Sequence, residues 1–186
     1  MEKNGEKMYG KALKIDYVSL DNQNVSLLKS FYSGNSEIDK YFRENAINDT
    51  SSKSFMVLDN TNSCTYVIGA YTLCCSGYII QSQKRYYIYP AVEIKYFAVA
   101  ETYQDILYSS EYNDCLSGQI LSVVISNIMN FTNNYCGANK IILYSVPSAV
   151  NFYTTAGFKK FDNFMLESNE RYLEGCTPMY FDLDAY

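Results

Sequence analysis

The stretch from Val92 to Gly157 constrains the fold more than any other part of the chain. Val92 to Val99 alternates, with Glu93, Lys95, Phe97 and Val99 on one face and Val92, Ile94, Tyr96 and Ala98 on the other. Leu116, Ile120, Val123 or Val124, Ile128 and Phe131 then recur at helical spacing and mark the longest amphipathic helix. Lys140 to Val146 reads as a buried strand. Pro147-Ser148 opens a helix carrying Ala149, Phe152 and Tyr153, and Gly157 closes it as a C-terminal glycine cap.

The elements before this stretch fit the same class. Lys14 to Leu20 reads as a first strand and Val25 to Tyr32 as a short helix. After the break at Ser33-Gly34-Asn35, Ser36 reads as the N-cap of a second helix with Asp39 three residues on. Phe55 to Leu58 and Thr65 to Cys75 are β-rich runs joined by Asp59-Asn60-Thr61-Asn62, and Pro90 precedes the Val92 strand. Glu101 to Asp114 reads as a long loop or irregular helix. Met179 to Leu183 closes the chain as a strand. The order β, α, α, several strands, then α, β, α, β gives one α/β domain over residues 14–186, with a flexible tail over 1–13. The full length of 186 residues suits that, being about one domain.

Composition removes whole classes of chemistry. There is no histidine, so a Ser-His-Asp triad, a Cys-His dyad and a His-ligated metal are out. No C-x-x-C pair exists either, and no metal is expected. Proton transfer must use Asp, Glu, Tyr, Cys, Lys or water. The six cysteines read as reduced, small buried hydrophobes, and the polar N-terminus carries no signal-peptide pattern, which points to the cytoplasm. The uncharged stretches Asn60–Gln83 and Cys115–Asn139 are too rich in Gly, Ser, Thr and Asn to span a membrane. A net charge of −5 argues against non-specific nucleic-acid binding, which rests on phosphate neutralisation.

Five blocks in order resemble the GNAT acyl-CoA N-acyltransferases, in particular their toxin-type acetyltransferase branch. They are Phe31-Tyr32-Ser33-Gly34-Asn35-Ser36-Glu37-Ile38-Asp39-Lys40-Tyr41-Phe42, Val67 to Leu73, Pro90 to Val99, Ser145 to Phe158, and Met179 to Leu183. The resemblance implies a mixed central sheet with helices on both faces, whose fourth and fifth strands, here 92–99 and 140–146, run parallel and splay apart. It implies an N-acetyltransferase that moves an acetyl group from acetyl-CoA to a primary amine by direct attack, so a nucleophilic Cys or His is not needed.

Residue roles follow from the matched positions. Glu93 stands where an acidic residue takes the amine proton, commonly through water. Tyr153 stands where a tyrosine donates to the leaving CoA thiolate. Phe97, Ala98 and Val99 would offer main-chain groups to the pantetheine and thioester oxygen, and Ser148 and Asn151 further contacts to the cofactor. The pyrophosphate would lie at the helix start formed by Cys115, Leu116, Ser117, Gly118 and Gln119, where backbone amides bind anions. The family's loop there has two glycines and a leading Gln or Arg; this chain keeps Gly118 alone and adds Asp114.

Two classes of function therefore stand. One is acetyl transfer to a small-molecule or protein amine, or, in the toxin-type case, to aminoacyl-tRNA. The other is a catalytically weakened GNAT-like module that binds a partner through the same cleft. A homodimer is compatible with either. Net charge lowers the tRNA case, and tRNA is the one nucleic acid considered.

Overall fold

The computed structural model describes residues 12–82, 85–109, 114–161 and 175–184, leaving out the side chains of 81 and 82. Seven strands form one mixed sheet in the order β1-β2-β3-β4-β5-β7-β6. They are β1 (Ile15–Ser19), β2 (Lys53–Asp59), β3 (Tyr66–Ser82), β4 (Arg85–Val99), β5 (Lys140–Ser145), β6 (Lys159–Lys160) and β7 (Thr177–Asp182). The helices are α1 (Ser36–Lys40), α2 (Glu101–Gln104), α3 (Leu116–Tyr135) and α4 (Val150–Thr155). β1 pairs antiparallel with β2, β5 and β6 antiparallel with β7, and β4 parallel with β5. This is the mixed sheet that the sequence implied. Among the described residues no helix is long and apolar enough to cross a membrane.

By contact density the chain falls into two compact units, residues 1–71 with 97–120 and residues 72–96 with 121–186. In the first, Leu28, Phe31, Phe42, Met56, Val57, Ile68, Leu116 and Ile120 are buried, and the Phe31 and Phe42 rings meet edge-on at 6.0 Å. α1 continues into a π-turn over Tyr41–Asn45, which puts Tyr41 and Phe42 into this core. The N-cap of α1 is Asn35, not Ser36: its side chain accepts from the Glu37 and Ile38 amides. Asp39 turns inward instead of boxing the cap and accepts from the Ser33 amide and hydroxyl. An amide side chain one residue earlier reaches the same orphan donors, so the cap moved by one.

In the second unit Tyr78, Ala91, Ile142 and Phe161 form a buried cluster, with Ile80 and Tyr180 packed on it. β4 is longer than the alternation suggested. It begins at Arg85, so Pro90 lies inside the strand rather than before it. β5 starts opposite Ala91. Arg85–Pro90 therefore projects beyond β5, at a position where the missing proline N–H costs no ladder bond to that strand. The cysteine reading also changes. None of the six thiols is in a disulfide, and none is fully buried; Cys64 and Cys75 are exposed and the others half-buried. Cys64 sits in the β2–β3 turn, Cys115 and Cys136 flank α3, and Cys176 precedes β7, so most fall at element ends rather than in core positions.

Candidate active site

Of the residues expected to hold the cofactor, Phe97, Ala98, Val99 and Cys115 to Gln119 lie in the first unit, and Ser148 and Asn151 in the second. Phe97 is half-buried, and Ala98 and Val99 are buried at the end of β4. The chain then turns at Ala100, whose amide donates to the Ile68 carbonyl at 2.8 Å. One turn on, Gln104 Nε2 donates to two carbonyls, Ser33 O at 2.8 Å and Val99 O at 2.9 Å. Its own carbonyl accepts from Ser117 Oγ at 3.4 Å. Gln104 thus joins the end of β4, the Ser33 loop and the start of α3. Nothing in the residue pattern of Glu101–Asp114 singled it out.

The start of α3 is braced from behind. Leu107 and Cys115 form a bridge, and the Leu116 amide donates to Ile106 O at 2.7 Å. The Cys115 carbonyl accepts from the Gly118 and Gln119 amides at 3.1 and 3.2 Å, and its Sγ from Gly118 at 3.4 Å. Leu116 is fully buried, so its side chain belongs to the core. Cys115, Ser117, Gly118 and Gln119 are half-buried, and Asp114 is exposed beside them. A 20-residue helix still carries a positive N-terminal end. A charge at Asp114 works against an anion there.

The residues expected to carry proton chemistry lie in the second unit. β4 pairs with β5 over three rungs only, Ala91 with Lys140, Val92 with Ile141, and Glu93 with Ile142. β4 then runs on through Ile94, Lys95 and Tyr96, and β5 through Leu143, Tyr144 and Ser145, with no further rung between them among the described residues. The parallel, splayed pair expected from the sequence is present, and half-buried Glu93 occupies its last rung.

β5 leads into a 3-10 turn, Pro147–Ala149, and then α4. Ser148 and Asn151 are exposed there, while Tyr153 is buried. The Tyr153 ring meets Phe152 at 5.2 Å and Phe158 at 5.6 Å, both edge-on, and Phe158 leans on Phe181 at 5.4 Å. Gly157 ends the helix at φ +95°, a conformation that other residues adopt at a cost, and the Phe158 amide returns to the Tyr153 carbonyl at 3.0 Å. That return places Phe158 against Tyr153. Burial pushes the Tyr153 phenol well above the ordinary tyrosine range. The hydroxyl is therefore protonated at any physiological pH and acts as a hydrogen-bond donor.

The same unit contains a cation and aromatic network that the sequence did not announce. Lys140 pairs with Asp182, and Lys159 reaches the other oxygen of that carboxylate at 3.4 Å. The hydrogen bond from Lys140 is the main reason that the Asp182 carboxyl lies below its usual range. Lys140 Nζ also sits 4.9 Å from the Tyr180 ring centre and 5.5 Å from that of Tyr78.

No family model matches the sequence, and no curated protein does. Solved structures do match, over nearly the whole length. A tyrosine-to-phenylalanine mutant of KacT superposes with a TM-score of 0.69 at 11% identity, covering 92% of this chain and 96% of that one. A tyrosine-to-phenylalanine mutant of the AtaT toxin, bound to the C-terminus of the antitoxin AtaR and to acetyl-CoA, gives 0.64 at 13%, covering 94% and 95%. AtaT complexed with acetyl-methionyl-tRNAfMet gives 0.66 at 16%, covering 93% and 96%. The chain has the fold of these proteins, a mixed α/β fold as its sequence blocks implied.

Proposed function

We propose that this chain is an N-acetyltransferase that uses acetyl-CoA, and that its acceptor is the amine of an aminoacyl-tRNA. The observation that carries the reading is the fork after Glu93. Two parallel strands that part leave main-chain donors and acceptors for a thioester, the logic of an oxyanion hole. The fold is shared with an AtaT structure that is bound to acetyl-CoA and another that holds an acetylated aminoacyl-tRNA.

The chemistry balances with this chain's own residues. An α-amino group has a pKa near 8, so a fair fraction is neutral at pH 7.5 without help. Its lone pair attacks the thioester carbon, the C–N bond forms, and the C–S bond breaks as the oxygen recloses to a carbonyl. The amine proton passes to Glu93, directly or through one water. The departing sulfur is met by the Tyr153 hydroxyl. Phe97, Ala98 and Val99 hold the thioester end of the cofactor by main-chain groups. The pyrophosphate is assigned to the Cys115–Gln119 start of α3, and further cofactor contacts to Ser148 and Asn151.

Thermal melting with acetyl-CoA is the first test. Saturation at ~100 times Kd adds about 2.7 kcal/mol, which moves the midpoint of a chain this size by roughly 5–10 °C. Mass spectrometry of aminoacyl-tRNA incubated with protein and acetyl-CoA then reads the product, with a panel of small amines in parallel. The second reading, a binding module without turnover, is favoured by one observation: the Leu116, Gly118 and Gln119 amides are already engaged and Asp114 adjoins them. No shift with acetyl-CoA, and no acetylated product, would select it.

A further inference from the structure

The N-terminal half of β4 exposes four large side chains in succession: Tyr86 at 61%, Tyr87 at 44%, Ile88 at 75% and Tyr89 at 38%. Strand alternation puts Tyr87 and Tyr89 on the same face as Ala91 and Glu93, and Tyr86 and Ile88 on the other. Tyr89 is held with its ring parallel to that of Tyr78, 5.3 Å apart and 17° from coplanar. The backbone there is also fixed. A Cβ on Gly77 would lie 2.9 Å from the Tyr89 carbonyl, so β3 must carry glycine at that point to approach β4. Exposed Arg85 adjoins the aromatic run.

Along the sequence, the charge flanking this run is the reverse of the chain as a whole. Lys84 and Arg85 are the only charged residues between Asp59 and Glu93, whereas the full chain has a net charge of −5. We infer that the Tyr87–Tyr89 face is a docking strip for unpaired nucleotides, and that it leads the 3′ end of an RNA strand along β4 to Glu93. This rests on the acetyl-transfer reading for its destination, though not for the binding itself. Exposed aromatic faces stack unpaired bases with little regard to sequence, and Arg85 meets the phosphates. Four residues at about 3.3 Å each put Glu93 roughly 13 Å beyond Tyr89 on the same face, and the RNA would pass over the Tyr78–Phe161 cluster that buries Ala91 between them. A second copy adding a strand to this edge is disfavoured by Pro90, which lacks an N–H, and by Arg85 beside it.

The test is fluorescence anisotropy of a short single-stranded RNA ending in CCA against the full chain. Tyr87→Leu and Tyr89→Leu keep apolar bulk and remove the aromatic face; each should weaken binding by roughly 5- to 100-fold. Tyr87 is the more exposed ring, so its variant keeps the test intact if Tyr89→Leu disturbs Tyr78. Tyr86→Leu, on the opposite face, should stay within about twofold, and Arg85→Gln should reduce the salt slope by about 0.7. An equal loss at Tyr86, no loss at Tyr87, or no binding by the wild type overturns the inference. So does a concentration-dependent dimer that Ile88→Ser abolishes, which would give the strip to a second copy. Calorimetry with acetyl-CoA on the same samples separates the two readings. Cofactor binding without RNA binding removes this strip and leaves the acetyltransferase. Ring-dependent RNA binding without cofactor binding keeps the strip and removes the acetyltransferase.

Discussion

Replacing Tyr153 by phenylalanine removes one hydroxyl from a buried ring and leaves its edge-on contacts with Phe152 and Phe158 in place. The size of the effect depends on what the hydroxyl does. A positioned general acid is worth roughly 10²–10⁴ in rate, and that is the expectation from the sequence resemblance alone. Burial changes it, because the phenol is held well above the ordinary tyrosine range. An alkyl thiol has a pKa near 8.5, so full proton transfer from this phenol to a thiolate runs uphill. On the proposed mechanism the hydroxyl would instead donate a hydrogen bond to sulfur as charge develops on it. A bond to a charged partner is worth about 1.5–3 kcal/mol, which at ~1.4 kcal/mol per tenfold corresponds to a roughly 10- to 150-fold fall in kcat.

The KM for acetyl-CoA should move far less, because the charge is present only in the transition state. The wild-type rate should also show no fall from phenol ionisation up to about pH 10. Single-turnover assays from pH 6 to about 10 read both quantities. A variant within about twofold of wild type at every pH would refute the assignment. A loss above about 10³-fold would refute the hydrogen-bond argument and restore full proton transfer.

Three further outcomes follow from the geometry. Gly118→Ala should leave acetyl-CoA affinity nearly unchanged, since its Cβ would meet Cys115 Sγ at an ordinary 3.6 Å; Gly118→Asp should weaken it at least tenfold by calorimetry, roughly 1.4 kcal/mol, because a second carboxylate would join Asp114 at the helix start. Gln104→Ala removes the two bonds to Ser33 O and Val99 O, together worth about 1–3 kcal/mol; the melting midpoint should fall by several degrees and the KM for acetyl-CoA should rise, whereas Gln104→Glu should restore neither. Burial is the chief reason that Tyr17 and Tyr103 hold their protons to about 12, while unfolded tyrosine titrates near 10. Above about pH 10 the unfolded chain therefore carries fewer protons than the folded one, and the urea midpoint should be flat from about pH 7 to 9.5 and decline beyond, less steeply in Tyr103→Phe.

The fold was legible because its signals were local and repeated. The Val92–Val99 alternation, the long stripe from Leu116 to Phe131 and the glycine after Tyr153 each define an element by periodicity or by a cap, and each element is present. Lys159–Lys160 was not visible as a strand, since two lysines have no β signature and pair only because β7 passes beside them. The cap at Asn35 was misplaced by one because Asn and Ser are nearly equal N-caps, and only geometry decides which side chain reaches the amides. The cysteines misled because a thiol is as apolar as a small core residue, and position along an element, not residue type, set their exposure.

The site divides along the same line. Glu93 and Tyr153 were legible as positions, one on an alternating strand and the other fixed in register by Phe152, Gly157 and Phe158. Their surroundings were not. The Tyr153 ring meets Phe152 and Phe158, near in sequence, but Phe158 in turn leans on Phe181, which is distant. Gln104 was invisible for a related reason. Its worth lies in meeting Ser33 O and Val99 O at once, and a pair of contacts so far apart in the chain leaves no spacing to read. The same holds for Tyr87 and Tyr89, whose aromatic character alone means little in a chain with 20 tyrosines. What distinguishes them is exposure on the Glu93 face of a strand that outruns its neighbour β5. A chemical group is written in one residue, but its environment is a property of several segments together, and function here depends on both.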